Sequence, residues 1–281
     1  MTIINKNEFV KGLQKHADRI YSQTIEDGII REVFNNIGVT NKYFIEFGAW
    51  DGTYLSNTGN LRINHRWNGL LLEGNLEKSK QYNYVTHAMV TAENINEIFE
   101  KEGVPRIYDL LSIDIDGNDF WVWKAIDELK YRARVVIIEY NSNFYDLSKS
   151  VAIKYAPNLN SIIPSINYYG ATVRAFKKLG EEKGYSLIFR INDHNLIFVD
   201  RNLLHPNDAN IEVSKFLNEN GRAEGGIAGF NNLIENRYNY NPKLLRDVFM
   251  YTNKFWHWNE YADTTINVTW EQDFTKEWIE I

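Results

Sequence analysis

Apolar residues fall into two rhythms along this chain. At Phe9, Val10 and Leu13, and again at Ile29, Ile30, Val33, Phe34 and Ile37, they recur at i, i+3, i+4 spacing, which predicts helix across residues 7–37. From Tyr43 onward the rhythm changes to short unbroken runs: YFIEF at 43–47, GLLLEG at 69–74, a brief one at 87–90, DLLSI from 109, and VVIIE from 135. Continuous hydrophobicity of this kind is expected of parallel strands buried on both faces. Helical segments are predicted between them, opening at TYLSNTGNL and running over 95–101 and 170–183, and two strands at 185–191 and 195–200 close as a hairpin through Asn192, Asp193 and His194. Alternation of this sort predicts an α/β fold, a Rossmann-like doubly wound sheet of seven mostly parallel strands with a terminal antiparallel hairpin.

Around that core, residues 1–40 read as a helical N-terminal segment, in which Ser22 and Thr24 are possible helix caps and Glu26 and Asp27 suit a helix N-terminus. Residues 145–169 hold two of the five prolines and read as a long loop over the ligand crevice. Beyond about residue 201 the character changes. Residues 211–220 and 242–251 look helical, RAEGGIAGFNN is a glycine-rich connection, and the last stretch carries four of the eight tryptophans. This aromatic-rich extension, residues 203–281, is assigned to substrate binding or to homo-oligomer formation.

The stretch YFIEFGAWDG is the centre of the pattern. In an open α/β sheet, ligands bind beyond the carboxyl ends of the strands, which puts Glu46, Gly48, Asp51 and Gly52 at the mouth of a crevice. The spacing is E-x-G-x-x-x-G and lacks the G-x-G-x-x-G that cradles a pyrophosphate, which favours a ligand without phosphates at this turn, such as S-adenosylmethionine. Ser56, Asn57 and Thr58 offer partners for a methionine carboxylate and amine, or else cap the first crossover helix. Glu73 ends the second strand about 20 residues past the last turn glycine, the separation at which an acid accepts from ribose hydroxyls.

The strongest chemical signal is DLLSIDIDGND. Asp114, Asp116, Asn118 and Asp119 crowd within six residues, a costly arrangement unless a cation, a proton or a basic substrate sits among them. An EF-hand is excluded, because the glycine comes at loop position 4 and position 12 is Ala125. The fifth strand ends in Glu139 and Asn141, beside that cluster. Asp114, Asp116, Glu139 and Asn141 are ligands of the type Mg²⁺ or Mn²⁺ takes, and Asp114, Asp116, Asp119 and Glu139 are the catalytic candidates; a carboxylate that takes a proton directly needs no metal. A solvated, helix-capping turn is the competing explanation. His194, in the hairpin turn, is either a base or simply solvated.

Composition narrows the function classes. Zero cysteines remove disulfides, thiolate metal sites and cysteine nucleophiles. A net charge of −6 without a basic stripe makes nucleic acid an unfavourable partner. With neither a long apolar run nor a signal-like N-terminus, a cytoplasmic location without membrane insertion is expected.

In their order and spacing, SQTIEDGII, FIEFGAWDGTYLSNT, NGLLLEGN, DLLSIDIDGNDFWVW, VVIIEYN, EEKGYSLIF and NLIFV resemble the class I S-adenosylmethionine-dependent methyltransferases, and more closely the FkbM-type and related O-methyltransferases of sugars and small molecules. The likeness spans roughly residues 20 to 200 and implies a methyltransferase domain over 41–202. It implies that Glu46, Gly48 and Gly52 border the methionine moiety, that Glu73 holds the ribose, that Val90 and Thr91 lie near the adenine, and that Asp114 sits beneath the sulfonium. The expected acceptor is a sugar or other small hydroxylated molecule. A nucleotide-sugar oxidoreductase using NAD, and a non-catalytic module that keeps the fold, are the rival readings.

Overall fold

The computed structural model describes residues 8–141, 150–157, 169–191, 194–209, 254–256, 270–272 and 278–281. The predicted helix over 7–37 divides into a 3₁₀ turn, Val10–His16, and helix α1, Glu26–Ile37. The break has a local cause. One oxygen of Asp27 accepts the backbone N–H groups of Ile20, Tyr21 and Ser22 at 2.7 to 2.8 Å together with the Ser22 hydroxyl at 2.8 Å, and N–H groups aimed at one carboxylate cannot also serve a helical ladder. Gly28 makes the fold-back possible, since a Cβ there would stand 1.9 Å from the His16 carbonyl oxygen. The N-cap position of α1 is Ile25; Ser22 Oγ accepts from the Asp27 N–H at 3.3 Å, and Thr24 donates to Glu26.

The strands follow as β1 (Tyr43–Phe47), β2 (Asn68–Glu73), β3 (Val85–His87), β4 (Ile107–Ile113), β5 (Arg132–Glu139), β6 (Val151–Ile153), β7 (Tyr185–Ile191) and β8 (Asn195–Asp200). Seven of them form one sheet in the order β3-β2-β1-β4-β5-β8-β7, in which β8 alone runs against its neighbours. This is the predicted doubly wound sheet with its terminal antiparallel hairpin. The third strand lies two residues earlier than predicted, because Asn94 takes the Met89 carbonyl at 2.8 Å and draws the chain off the sheet.

Helices α2 (Gly59–His65), α3 (Leu76–Ser79), α4 (Ile95–Lys101), α5 (Asp119–Ala125) and α6 (Val173–Glu182) complete the winding. One apolar layer, with Ile29, Ile30 and Val33 of α1, packs on Phe44, Leu110, Val135 and Ile197. The opposite layer sets Phe99 of α4, Trp123 of α5 and Phe176 of α6 against Ile45, Leu111, Val136 and Phe198. Alternate residues of each strand feed the two layers, which is why the strands read as unbroken hydrophobic runs.

Part of the predicted 145–169 loop is ordered backbone. β6 pairs antiparallel with β11 (Trp278–Glu280), the last of three short strands after β9 (Lys254–Trp256) and β10 (Trp270–Gln272), which pair with each other. The helices predicted at 211–220 and 242–251 and the glycine-rich connection lie outside the described residues, as does most of the tryptophan-rich stretch. Among the described residues no helix is long and apolar enough to cross a membrane.

The base of the sheet is fixed by Asp109, fully buried in β4. It accepts the backbone N–H groups of Thr40, Asn41 and Lys42 at 2.7 to 3.0 Å and forms a 2.7 Å ion pair with Arg134, itself bound to the carbonyls of Ile37 and Gly38. Burial pushes the Asp109 carboxyl up, but the Arg134 guanidinium and the Thr40 and Lys42 donors outweigh it and hold the pKa below the ordinary value. A depressed carboxylate stabilises the fold above the unfolded-state pKa and loses that contribution as pH falls through the folded one. Asp109→Asn is therefore expected to cost about 3 to 5 kcal/mol by leaving Arg134 unpaired, and to flatten the loss of stability below about pH 4, both read from chemical denaturation across pH.

Candidate active site

At the carboxyl edge of the sheet the chain order reverses between β1 and β4, the place where open α/β sheets hold ligands. The two strands meet there without a gap. Gly48 has φ +69°, and a Cβ on it would lie 1.8 Å from the Asp114 carbonyl oxygen, so only glycine lets the first turn rest on the end of β4. Trp50, Leu55 and Asp116, at φ +48°, +55° and +55°, hold left-handed backbone around the same edge. Lys42 and Arg66, at φ +54° and +57°, hold the same conformation before β1 and β2, so left-handed backbone occurs at both ends of the sheet.

From β1, Glu46 points inward and is buried. It accepts from Ser56 Oγ at 2.7 Å, the Asn57 N–H at 2.8 Å and Thr58 Oγ1 at 2.5 Å, so Glu46 uses the three polar residues predicted to face the ligand to fold the loop that leads into α2. Burial raises the Glu46 pKa against those hydrogen bonds. Asn57 donates through Nδ2 to Ser112 of β4 at 3.0 Å, while its Oδ1 is buried with no donor. Asp51 closes its own turn by accepting from Thr53 and Tyr54, and Gly52, at φ +66°, would meet Leu71 with any side chain.

From β2, Glu73 takes one backbone N–H on each oxygen, Trp50 at 2.9 Å and Asn75 at 2.7 Å. It thus ties the first turn to the second. Trp50 is half exposed, with Lys78 Nζ 2.9 Å from its ring centroid. After β3, Val90 is buried in the core, and Thr91 exchanges hydrogen bonds with Asn94 in the turn that precedes α4.

The acidic residues separate into two roles. One oxygen each from Asp114, Asp116 and Glu139 lies within 4.8 Å of the others, with Asp114 and Glu139 half-buried and Asp116 exposed. Asp119 instead staples the turn, accepting from the Ile115 and Gly117 N–H groups at 2.8 and 2.9 Å. Asn118 binds the Ala156 carbonyl and Asn141 the Tyr169 carbonyl. Burial pushes Asp114 and Glu139 well above the usual carboxylate range, and they share a hydrogen bond while repelling Asp119 and Asp116. Burial and the charge of Glu73 raise Asp116, with Lys78 opposing. Asp119 is raised to about 6 by burial, against its backbone hydrogen bonds. The cluster, Glu46 and Glu73 thus form one negative field suited to a cation.

Sequence reasoning missed Trp50, Ser112, Lys78 and Asn195. The strand ends are legible in sequence, but which loop folds back over them is not. Gln23 Nε2 lies 3.3 to 3.4 Å from the His194 ring nitrogens, so His194 meets the N-terminal segment.

No family model and no curated protein matches this chain. Solved structures do match. They include the CurJ carbon methyltransferase (10% identity, 70% of this chain and 59% of that one, TM-score 0.36). A S-adenosylmethionine-dependent methyltransferase from Clostridium acetobutylicum ATCC 824 matches at 11% identity over 68% of this chain and 95% of that one, with TM-score 0.38. The citrinin polyketide synthase CMeT domain matches at 12% identity over 64% and 54%, with TM-score 0.34. The chain thus spans little more than half the length of the first and third of these. At scores this low the likenesses carry no argument about this chain, whose chemistry has to come from its own residues.

Proposed function

We propose that this chain is a S-adenosylmethionine-dependent methyltransferase, of the FkbM type or a related one, that methylates an oxygen of a sugar, glycan precursor or other small hydroxylated molecule. The observation that carries the reading is the convergence of Asp114, Asp116 and Glu139 beside the Gly48 turn, at the switch point of the sheet. Crowded carboxylates with raised pKa values favour a positive charge, and a sulfonium is one.

The residues present suit the donor. Each Glu73 oxygen accepts one backbone N–H and keeps a lone pair for a ribose hydroxyl. Asn57 Oδ1 is a buried acceptor in need of a donor, which an α-ammonium supplies. Gly48 and Gly52 would border the methionine moiety, Val90 and Thr91 the adenine, and Asp114 the sulfur. When bound, the donor supplies a methyl group on a positively charged sulfur. The protein's part is to align the acceptor oxygen and receive its proton. Asp116 or Glu139 is the base; burial and the Glu73 charge raise the pKa of the first, burial and Asp114 that of the second, and a raised pKa strengthens a carboxylate's hold on the proton it takes. Asp114, Asp116, Glu139 and Asn141 would hold Mg²⁺ or Mn²⁺, which would acidify the acceptor hydroxyl.

Asp116→Asn is expected to lower turnover by about 10²- to 10⁴-fold while S-adenosylhomocysteine affinity, read by calorimetry, stays nearly unchanged. Unchanged turnover would remove Asp116 from the role, and full activity in excess EDTA would remove the metal. A carboxyl raised in the fold contributes stability that is present below its unfolded pKa and lost as pH rises through the folded one, so at neutral pH the cluster strains the fold. Asp114→Asn is accordingly expected to melt higher than the parent at neutral pH; Mg²⁺ is expected to raise the melting temperature of the parent chain and not that of the variant.

A further inference from the structure

The polar edge continues past the carboxylate cluster onto β8, where none of the roles above reaches. In the β5–β8 register Glu139 stands opposite Asn195, and cross-strand partners project to the same side of a sheet. That side is the α1 side, because Val135 and Ile137 of β5 and Ile197 and Val199 of β8 all enter the layer packed on α1. Asn195 is 3% exposed. Its Nδ2 donates to Glu26 Oε1 at 3.1 Å, and Glu26, fully buried at the start of α1, also accepts from Thr24. A carboxylate only accepts, so the amide must turn its nitrogen to Glu26 and its oxygen away. That oxygen has no donor, and neither has Glu139 Oε2 on the opposite strand. A buried acceptor left without a donor destabilises the fold, and here two stand on neighbouring strands.

We infer that Asn195 and Glu139 together form a binding point for a hydrogen-bond donor of the acceptor substrate, a hydroxyl or amine, with Glu26 fixing the orientation of the Asn195 amide. This rests on the methyltransferase reading and specifies the substrate class. Among the described residues, the groups placed at this point are the Glu26 and Glu139 carboxyls and the Asn195 amide oxygen, an acceptor set that disfavours a phosphate or carboxylate and suits a neutral polyol or an amino sugar. Asn195 is then a specificity residue beside the proposed base, and the half-buried Glu139 is the member of the pair nearer to solvent.

The test is ligand-observed saturation-transfer NMR on the full-length chain with methyl glucoside, glucosamine, glucose 6-phosphate and glucuronate, alongside calorimetry with S-adenosylhomocysteine. The expected result is a signal from methyl glucoside or glucosamine and none from the two anionic sugars. That signal should weaken about tenfold in apparent affinity in Asn195→Ala and in the volume-conserving Asn195→Leu, with S-adenosylhomocysteine binding unchanged in whichever variant keeps the parent's melting temperature. Preference for the anionic sugars, no signal from any sugar, or a signal untouched by both variants would overturn the inference; the last is the outcome if a bound water alone bridges the two oxygens. Failure of the methyltransferase reading is separate, since it appears as absent S-adenosylhomocysteine binding whatever the sugars do.

Discussion

The architecture of the site depends on one close approach, the Gly48 Cα resting against the Asp114 carbonyl. Because no side chain intervenes, the end of β1 and the end of β4 sit in direct contact at the point where the winding reverses. That contact sets Glu46 and Asp114 near enough for each charge to disfavour the other. With the turn fixed, Trp50 is forced into left-handed backbone, its N–H meets Glu73, and the carboxylates of β1, β2, β4 and β5 converge on one rim.

The carboxylates that were similar in sequence have divided their labour. Asp27, Asp109 and Asp119 each collect backbone N–H groups and hold a turn in place. Glu46 does the same for the loop before α2. Asp114, Asp116 and Glu139 keep an oxygen each turned toward one another, which costs electrostatic energy that the hydrogen bond shared by Asp114 and Glu139 and the charge of Lys78 offset only in part. Structural acids are recognised by the backbone N–H groups they collect, and the candidate chemistry lies with the acids that gather against one another.

The N-terminal segment is the least expected contributor. Its helical rhythm is real, yet Asp27 unwinds residues 17–25 so that they lie along the loop after β1, with Ser22 bridged to Leu55. Glu26 thereby reaches Asn195, and Gln23 reaches His194. The β8 end of the polar edge is thus framed by an element far from it in sequence.

The sheet was legible because a strand buried on both faces has to be largely apolar whichever way its neighbours run; residues 43–47, 185–191 and 195–200 needed no tertiary information for that reason. The acidic strand ends, Glu46, Glu73, Asp114 and Glu139, were equally visible, since a polar residue closing an apolar run marks where the strand leaves the core. The sequence could not say which carboxylates would find backbone donors, because Asp119 and Asp116 differ only in the direction their side chains take from a turn. Nor could it place Asn195, whose partner Glu26 lies 169 residues away and meets it only when α1 packs on the finished sheet. Local rhythm fixes strands and helices because it is set by burial along one segment; the site was decided by the tertiary fold because each of its oxygens is defined by what a distant segment does or does not donate to it.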